Sequence, residues 1–398
     1  MAVDVLVVDG DGHTMEPTDL WVERMDAAKW GDWIPQARGE LLFGEFWVGG
    51  ELRSGGREAL ERICDHAGVT AEEYRAGLAT LMLKGGGDPD ARIVDLDRVG
   101  IDVAVLYPTR TMFFGPVDPI GALGNAEFVR DCQRAYNQWV AEYCGAAPDR
   151  LFAVGAVPLQ DMELAVAEVE RVAAMGLVGV MIRPSAYIDE LPLSHEVYDR
   201  FWAACQDHDL AVGFHPGVHV DTPDVIRKLG LCRFDKNLQI TNADVDPVYG
   251  GSGLGQAIGN TANMMVTMGR ILMGGVAERF PRLRFLFLES GGGWCATQLD
   301  RMDEQVEAFA LEGRWLSLLP SEYFARQCYI SFEPGEWNLA ASAEKLGADR
   351  VLWASDYPHP EYHDGVVTEL QASVSSLSAE DQRRIVGENA IEAYRLPR

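Results

Sequence analysis

Eight short apolar runs, each closed by polar or glycine-rich residues and each followed by helix-like sequence, constrain this chain more than any other feature. They are VDVLVVDGDGH (3–13), VGIDVAVLYPT (99–109), LFAVGAVPLQ (151–160), GLVGVMIRPS (176–185), LAVGFHPG (210–217), LRFLFLESGGGW (283–294), CYISFEP (328–334) and VLWASDYPHP (351–360). Continuous rather than alternating hydrophobicity fits strands covered on both faces. Helix-like stretches follow at 125–144, 162–175, 195–208, 298–309 and 338–346, with more in the tail. Eight strand–helix units predict an α/β fold, a closed (β/α)8 TIM barrel with helical and loop insertions, rather than an open doubly wound sheet.

The 398 residues read as a single barrel domain over 1–398 with two long interruptions. Residues 18–95 form an insertion or lid after strand one, with helices predicted over 56–68 and from 70 toward 82. Within it GEFWVGG (44–50) reads equally as a lid segment or a short hairpin. Residues 218–282 form a second insertion, between strands five and six. Its GGSGLG (250–255) has no preceding strand and no lysine, so it reads as a turn into NTANMMVTMGRIL rather than a phosphate loop.

Charge narrows the partners. With 34 basic against 61 acidic residues the net charge is -27, which argues against nucleic acid or an anionic membrane surface. No stretch is long and apolar enough to span a bilayer, and MAVDVLVVDG lacks the basic start of a secretory signal. Seven dispersed cysteines without a CxxC pair read as reduced core thiols, which points to a cytoplasmic protein. A homodimer is compatible with such a barrel, although no interface is legible.

In a (β/α)8 barrel the chemistry sits at the C-terminal ends of the strands. Those ends carry Asp9, Asp11 and His13; Arg183; His215 and His219; Glu289 and Ser290; and Asp356, His359 and His363. Five of the chain's eight histidines lie there, a concentration that packing does not explain. In Asp11-Gly12-His13 the two potential ligands stand at i and i+2 of an extended segment and share a face. Asp9 reads as an acid that supports the ligands, and Ser290 lacks the GxSxG elbow of a serine nucleophile. His66, His195 and His208 read as ordinary helix residues.

Together DGDGHTMEPTDLW (9–21), GFHPG (213–217), FLESGGGW (287–294) and WASDYPHP (353–360) resemble the amidohydrolase superfamily, in its branch of amidohydrolase-related decarboxylases and hydrolases, over nearly the whole chain. The resemblance implies a divalent metal held by Asp11 and His13, by His215 and by Asp356, with Asp356 also moving a proton. Two departures stand out: Asp11 replaces the first histidine of an HxH pair, and Glu289-Ser290 replaces a histidine-bearing segment after strand six.

Two mechanistic expectations follow, with a third that is not enzymatic. The ligand surplus favours a nonheme diiron oxygenase, in which two Fe ions held by Asp11, His13, His215, Glu289 and Asp356 activate O2 and hydroxylate a bulky apolar small molecule. There His219 and His359 supply further contacts, Asp356, His359 and Glu289 are catalytic, and Phe46, Trp47 and Met264 line the pocket. The alternative keeps one Zn or Mn ion and removes CO2 from, or hydrolyses, a small molecule whose carboxylate is clamped by Arg183; the same arginine equally suits pairing with nearby acids. The third reading is a binding scaffold with an inert metal.

Overall fold

The computed structural model describes residues 6–39, 45–55, 68–114, 125–217, 255–310 and 315–397, with positions 57, 60, 61, 64 and 65 besides. Eleven strands are found among them. Eight are parallel and form the barrel: β1 (Val8–His13), β5 (Val103–Tyr107), β6 (Leu151–Ala156), β7 (Gly179–Ile182), β8 (Ala211–Phe214), β9 (Phe285–Phe287), β10 (Cys328–Phe332) and β11 (Val351–Trp353). Their order in the sheet is their order in the chain, as successive right-handed β–α–β units require. All eight predicted runs are barrel strands. The seam between last and first is held by β1 and the segment just after β11, where His13 N donates to Tyr357 O at 2.6 Å and Asp356 N to Asp11 O at 3.2 Å.

Two apolar layers explain why the runs are continuous. Val8, Val103, Val105, Tyr107, Val154, Met181, Leu286, Tyr329 and Leu352 pack with one another in one cluster, while the alternate residues Ala104, Leu106, Val180, Val212, Phe285 and Ile330 belong to the larger cluster shared with the helices. Both faces are therefore dry. The helix Ala126–Gly145 shows how a helix is docked: Asn125 caps Phe128 N at 3.1 Å, and the buried stripe Val129, Cys132, Tyr136, Val140 and Tyr143 faces the strands at helical spacing.

Between β1 and β5 the chain builds a small antiparallel sheet of β2 (Gln36–Arg38), β3 (Glu45–Val48) and β4 (Glu51–Gly55). Gly49 and Gly50 join β3 to β4 with φ of 65° and 74°, the double left-handed turn that suits a two-residue hairpin. GEFWVGG thus contributes a hairpin strand and its turn. Thr70 caps Ala71–Gly77 with a reciprocal Glu73 box, and a tight turn over Ala79–Met82 completes the predicted second helix. The first predicted helix, over 56–68, falls largely outside the described residues. Pro89–Val99, which the sequence reading left unassigned, is a full helix with Asp88 as cap and Pro89 in its first turn.

Candidate metal centre

Every described strand-end ligand candidate converges on the C-terminal mouth of the barrel. Pairing between β1 and β5 loses register between Asp9 and Gly12, and an irregularity of this kind re-aims side chains at a strand end. Asp11, His13 and His215 are buried, and their ligand atoms lie within 4.8 Å of one another; His13, Glu289 and Asp356 form a second such trio. Asp11 Oδ1 stands 3.8 Å from both His13 Nε2 and His215 Nε2, and Glu289 Oε2 stands 3.9 Å from His215 Nε2. Glu289 and Asp356 hold left-handed φ of 51° and 52°, strain that non-glycine residues accept chiefly where function demands it.

The donor set fits a cation on its own chemistry. His13 Nδ1 meets Pro108 O at 3.1 Å and His215 Nδ1 meets Pro216 O at 2.8 Å. Carbonyls only accept, so each Nδ1 carries the proton and each neutral ring presents a bare Nε2. These two lone pairs face each other at 3.1 Å, an arrangement that a positive charge between them would relieve. Both oxygens of Asp11, Glu289 Oε2 and Asp356 Oδ1 are buried without a hydrogen-bond partner among the described residues. Unmet buried carboxylate oxygens are costly, and a divalent ion satisfies them together.

Electrostatics agree with the geometry. Burial, then the neighbouring Glu289 carboxyl, holds Asp11 and Asp356 well above the usual carboxylate range, and burial pushes Glu289 up to about 7. Burial also drives the imidazoles down, His215 to about 3 and His359 to about 4, with His13 well below its ordinary value. The rings are thus neutral and able to ligate.

Around these groups stands a supporting shell. Asp9 accepts from Ser355 Oγ at 2.5 Å, Ser355 N at 3.0 Å and Asp11 N at 3.2 Å, fastening β1 to the segment after β11. Arg92, fully buried on Pro89–Val99, donates to His13 O at 2.9 Å and lies 3.8 Å over the Tyr357 ring. A Cβ on Gly12 would lie 2.7 Å from both Arg92 Nη2 and Asp9 Oδ2, which is why glycine separates the two candidate ligands. Gln256 donates to Glu289 Oε1 at 3.0 Å from the π-helical segment Gly255–Asn260. Sequence reasoning missed Arg92 and Gln256; a lone arginine in an amphipathic helix and a glutamine in a glycine-rich turn carry no local signal.

Other candidates occupy different places. His359 stacks on His13 with ring centroids 4.1 Å apart, and its Nε2 meets the Thr109 hydroxyl at 3.1 Å. Arg183 is buried, with Nη1 donating to Met112 O at 3.3 Å and Nη2 to Gly217 O at 3.0 Å. Phe46 packs edge-on against Trp21, Trp47 lies under Arg38 and donates to Glu45 at 2.8 Å, and Met264 is fully buried in the main core. His363 sits at the rim and meets Glu369 at 2.8 Å. His195 caps Val197 N at 3.2 Å. His219 and His66 lie outside the described residues. Among those described, no helix is long and apolar enough to cross a membrane.

Residues 45–396 match the family described as Amidohydrolase. A curated relative, 2-amino-3-carboxymuconate-6-semialdehyde decarboxylase of Dictyostelium discoideum, is 24% identical over 307 residues, 77% of this chain and 76% of the relative. An amidohydrolase from Mycobacterium avium subsp. paratuberculosis superposes with a TM-score of 0.74 at 22% identity, covering 99% of this chain and all of that one, 100%. The 5-carboxyvanillate decarboxylase of Novosphingobium aromaticivorans, solved with manganese and 4-hydroxy-3-methoxy-5-nitrobenzoic acid, superposes with a TM-score of 0.58 at 22% identity over 77% of this chain and 79% of that one.

These findings correct the leading functional expectation. A diiron hydroxylase, an oxidoreductase consuming O2 with two Fe ions, is overturned: two of the three proteins named above are decarboxylases, one of them solved with manganese, and the third is an amidohydrolase. The physical reason lies in the overlap of the ligand trios. Both use His13, and Asp11, Glu289 and the two imidazoles close on one another, so the apparent surplus crowds one centre.

Proposed function

The chain belongs to the amidohydrolase superfamily, in its decarboxylase-like branch, and on that premise we propose that it is a nonredox decarboxylase of a small carboxylic acid using one divalent ion, manganese or zinc. The observation that carries this reading is the pair of bare Nε2 atoms 3.1 Å apart, facing buried carboxylate oxygens that have no partner among the described residues. Asp11, His13, His215 and Asp356 would hold the ion, with Glu289 beside them. When bound, such an ion polarises and orients an oxygen of the substrate.

The chain's own groups supply the rest. Carbonyl anchors at Nδ1 keep both imidazoles oriented, and the Asp9–Ser355 and Arg92–His13 bonds hold the ligand-bearing backbone in place. Asp356 is the proton donor: as the bond to the carboxylate carbon breaks and CO2 leaves, the electron pair stays on the substrate carbon and takes the Asp356 proton. Without an ion, burial and then the Glu289 carboxyl raise Asp356; a bound cation would oppose that shift, so the proton would be taken up by Asp356 together with the substrate.

The test is CO2 release from a panel of hydroxyaromatic and unsaturated carboxylic acids, measured anaerobically with manganese-loaded and zinc-loaded protein. Oxygen-independent CO2 release with about one metal ion per chain supports the reading. Hydrolysis of esters or lactones by the same preparations, with no CO2 from any acid, overturns it in favour of a hydrolase.

A further inference from the structure

At the opposite end of the barrel a cavity of about 550 Å³ opens where Gln206–Asp209, Pro281–Arg284, Arg326–Tyr329, Arg350 and the C-terminal turn meet. These segments precede or begin β8, β9, β10 and β11, so the length of the strands separates the cavity from the metal centre. Five guanidiniums, of Arg282, Arg284, Arg326, Arg350 and Arg395, line it against three carboxylates, of Asp207, Asp209 and Glu392. On a chain carrying 34 basic and 61 acidic residues, this local cationic excess is the reverse of the overall balance.

The internal pairs leave cationic capacity over. Asp209 is shared: it accepts from Arg284 and lies 3.5 Å from Arg395 Nε. Asp207 faces Arg282 at 3.6 Å. Arg326 donates to neutral acceptors, Gln327 Oε1 at 2.7 Å and Ala277 O at 2.6 Å. Arg350 pairs with Asp349 at 3.0 Å, outside the cavity lining, and keeps a buried Nε–H with no acceptor among the described residues. That Nε–H is buried away from the cavity, and the guanidinium lies 5.2 Å over the Tyr329 ring, so the capacity for an anion rests on the guanidinium nitrogens that line the cavity, whose fork matches the oxygens of a phosphate group two at a time.

We propose that this cavity is a binding site for a small polyanion of the phosphate class, held chiefly by Arg326 and Arg350 with Arg282 at its open edge. The bound anion ties the strand-entry segments to the C-terminal turn and stabilises the folded barrel by mass action, without touching the metal centre.

The test titrates manganese-loaded protein with inorganic phosphate at constant ionic strength set by chloride, following heat of binding and Tm. The expected result is saturable binding of about one phosphate per chain with a rising Tm. Arg350→Gln weakens it about tenfold or more, the loss of a charged fork. Arg282→Gln, an exposed change that leaves the fold intact, weakens it several-fold and decides the matter if Arg350→Gln does not fold. Asp356→Asn leaves phosphate affinity unchanged, which separates this site from the metal. Absence of saturation, full affinity in both arginine variants, or loss of binding in Asp356→Asn each overturns the proposal.

Discussion

The two ends of the barrel handle buried polarity in opposite ways. At the mouth, Asp11, Glu289 and Asp356 keep oxygens that no neighbour among the described residues satisfies. At the opposite end most polar groups are spent on the backbone: Arg284 donates to Ala393 O at 2.7 Å and Asp209 O at 2.6 Å, Arg150 to Asp102 O at 2.8 Å and Ile101 O at 2.9 Å, and Asn389 to Val351 O at 2.7 Å. The difference teaches where to look for chemistry. At the mouth the unmet groups are clustered carboxylate oxygens, a cation's partners, while at the other end unmet groups such as Arg350 Nε are scattered and bonds that secure chain entry into the strands dominate.

Substitution at each end should separate the two roles. The largest effect is expected from Asp356→Asn, which removes the proposed proton donor and a proposed metal ligand: kcat falls by about 100-fold or more in a CO2-release assay, while Tm stays within a few degrees. A collapse in Tm matching the loss of rate would erase the distinction between the ends. Arg284→Gln is the converse, losing roughly 2 kcal/mol of stability in urea unfolding with metal content intact; a loss of metal would show that the ends are coupled.

Gly12→Ala tests how tightly the mouth is supported. Its new Cβ meets Arg92 Nη2 and Asp9 Oδ2, and displacing either should weaken metal binding about tenfold, read by competition with a chelating dye. Unchanged affinity would mean that the shell beneath the ligands yields without cost.

The smallest effect is expected in the pH response of metal-stripped protein. Carboxyls raised in the folded state support the fold fully below their unfolded pKa, and that support is withdrawn as pH rises through the folded value. For Glu289 the window runs from 4.5 to about 7, and Asp11 and Asp356 shift in the same direction. The Tm of stripped protein should therefore fall by a few degrees across that window relative to metal-loaded protein. Parallel curves would indicate that the mouth carboxyls are less buried in solution.

Much of this was legible in one dimension because strand formation and strand-end chemistry are local. Continuous apolar runs located all eight barrel strands, and the residues closing them supplied Asp11, His13, His215, Glu289 and Asp356. Arg92 was illegible because its role comes from crossing to a carbonyl 79 residues away. Trp47 and Met264 look alike in sequence as apolar pocket material, yet one stacks under Arg38 on the small sheet and the other is sealed in the core.

Asp9 and Asp11 mark the boundary most sharply. Two residues apart on one strand, they are chemically identical, and the sequence alone determined that both acids stand at a strand end beside a histidine. Only the tertiary structure decided that Ser355 satisfies Asp9, that Asp11 goes unmet among the described residues, and that the candidate ligands crowd one centre instead of spreading over two. Residue type and strand position are properties of short segments, whereas coordination depends on distances between strands hundreds of residues apart, which barrel closure alone sets.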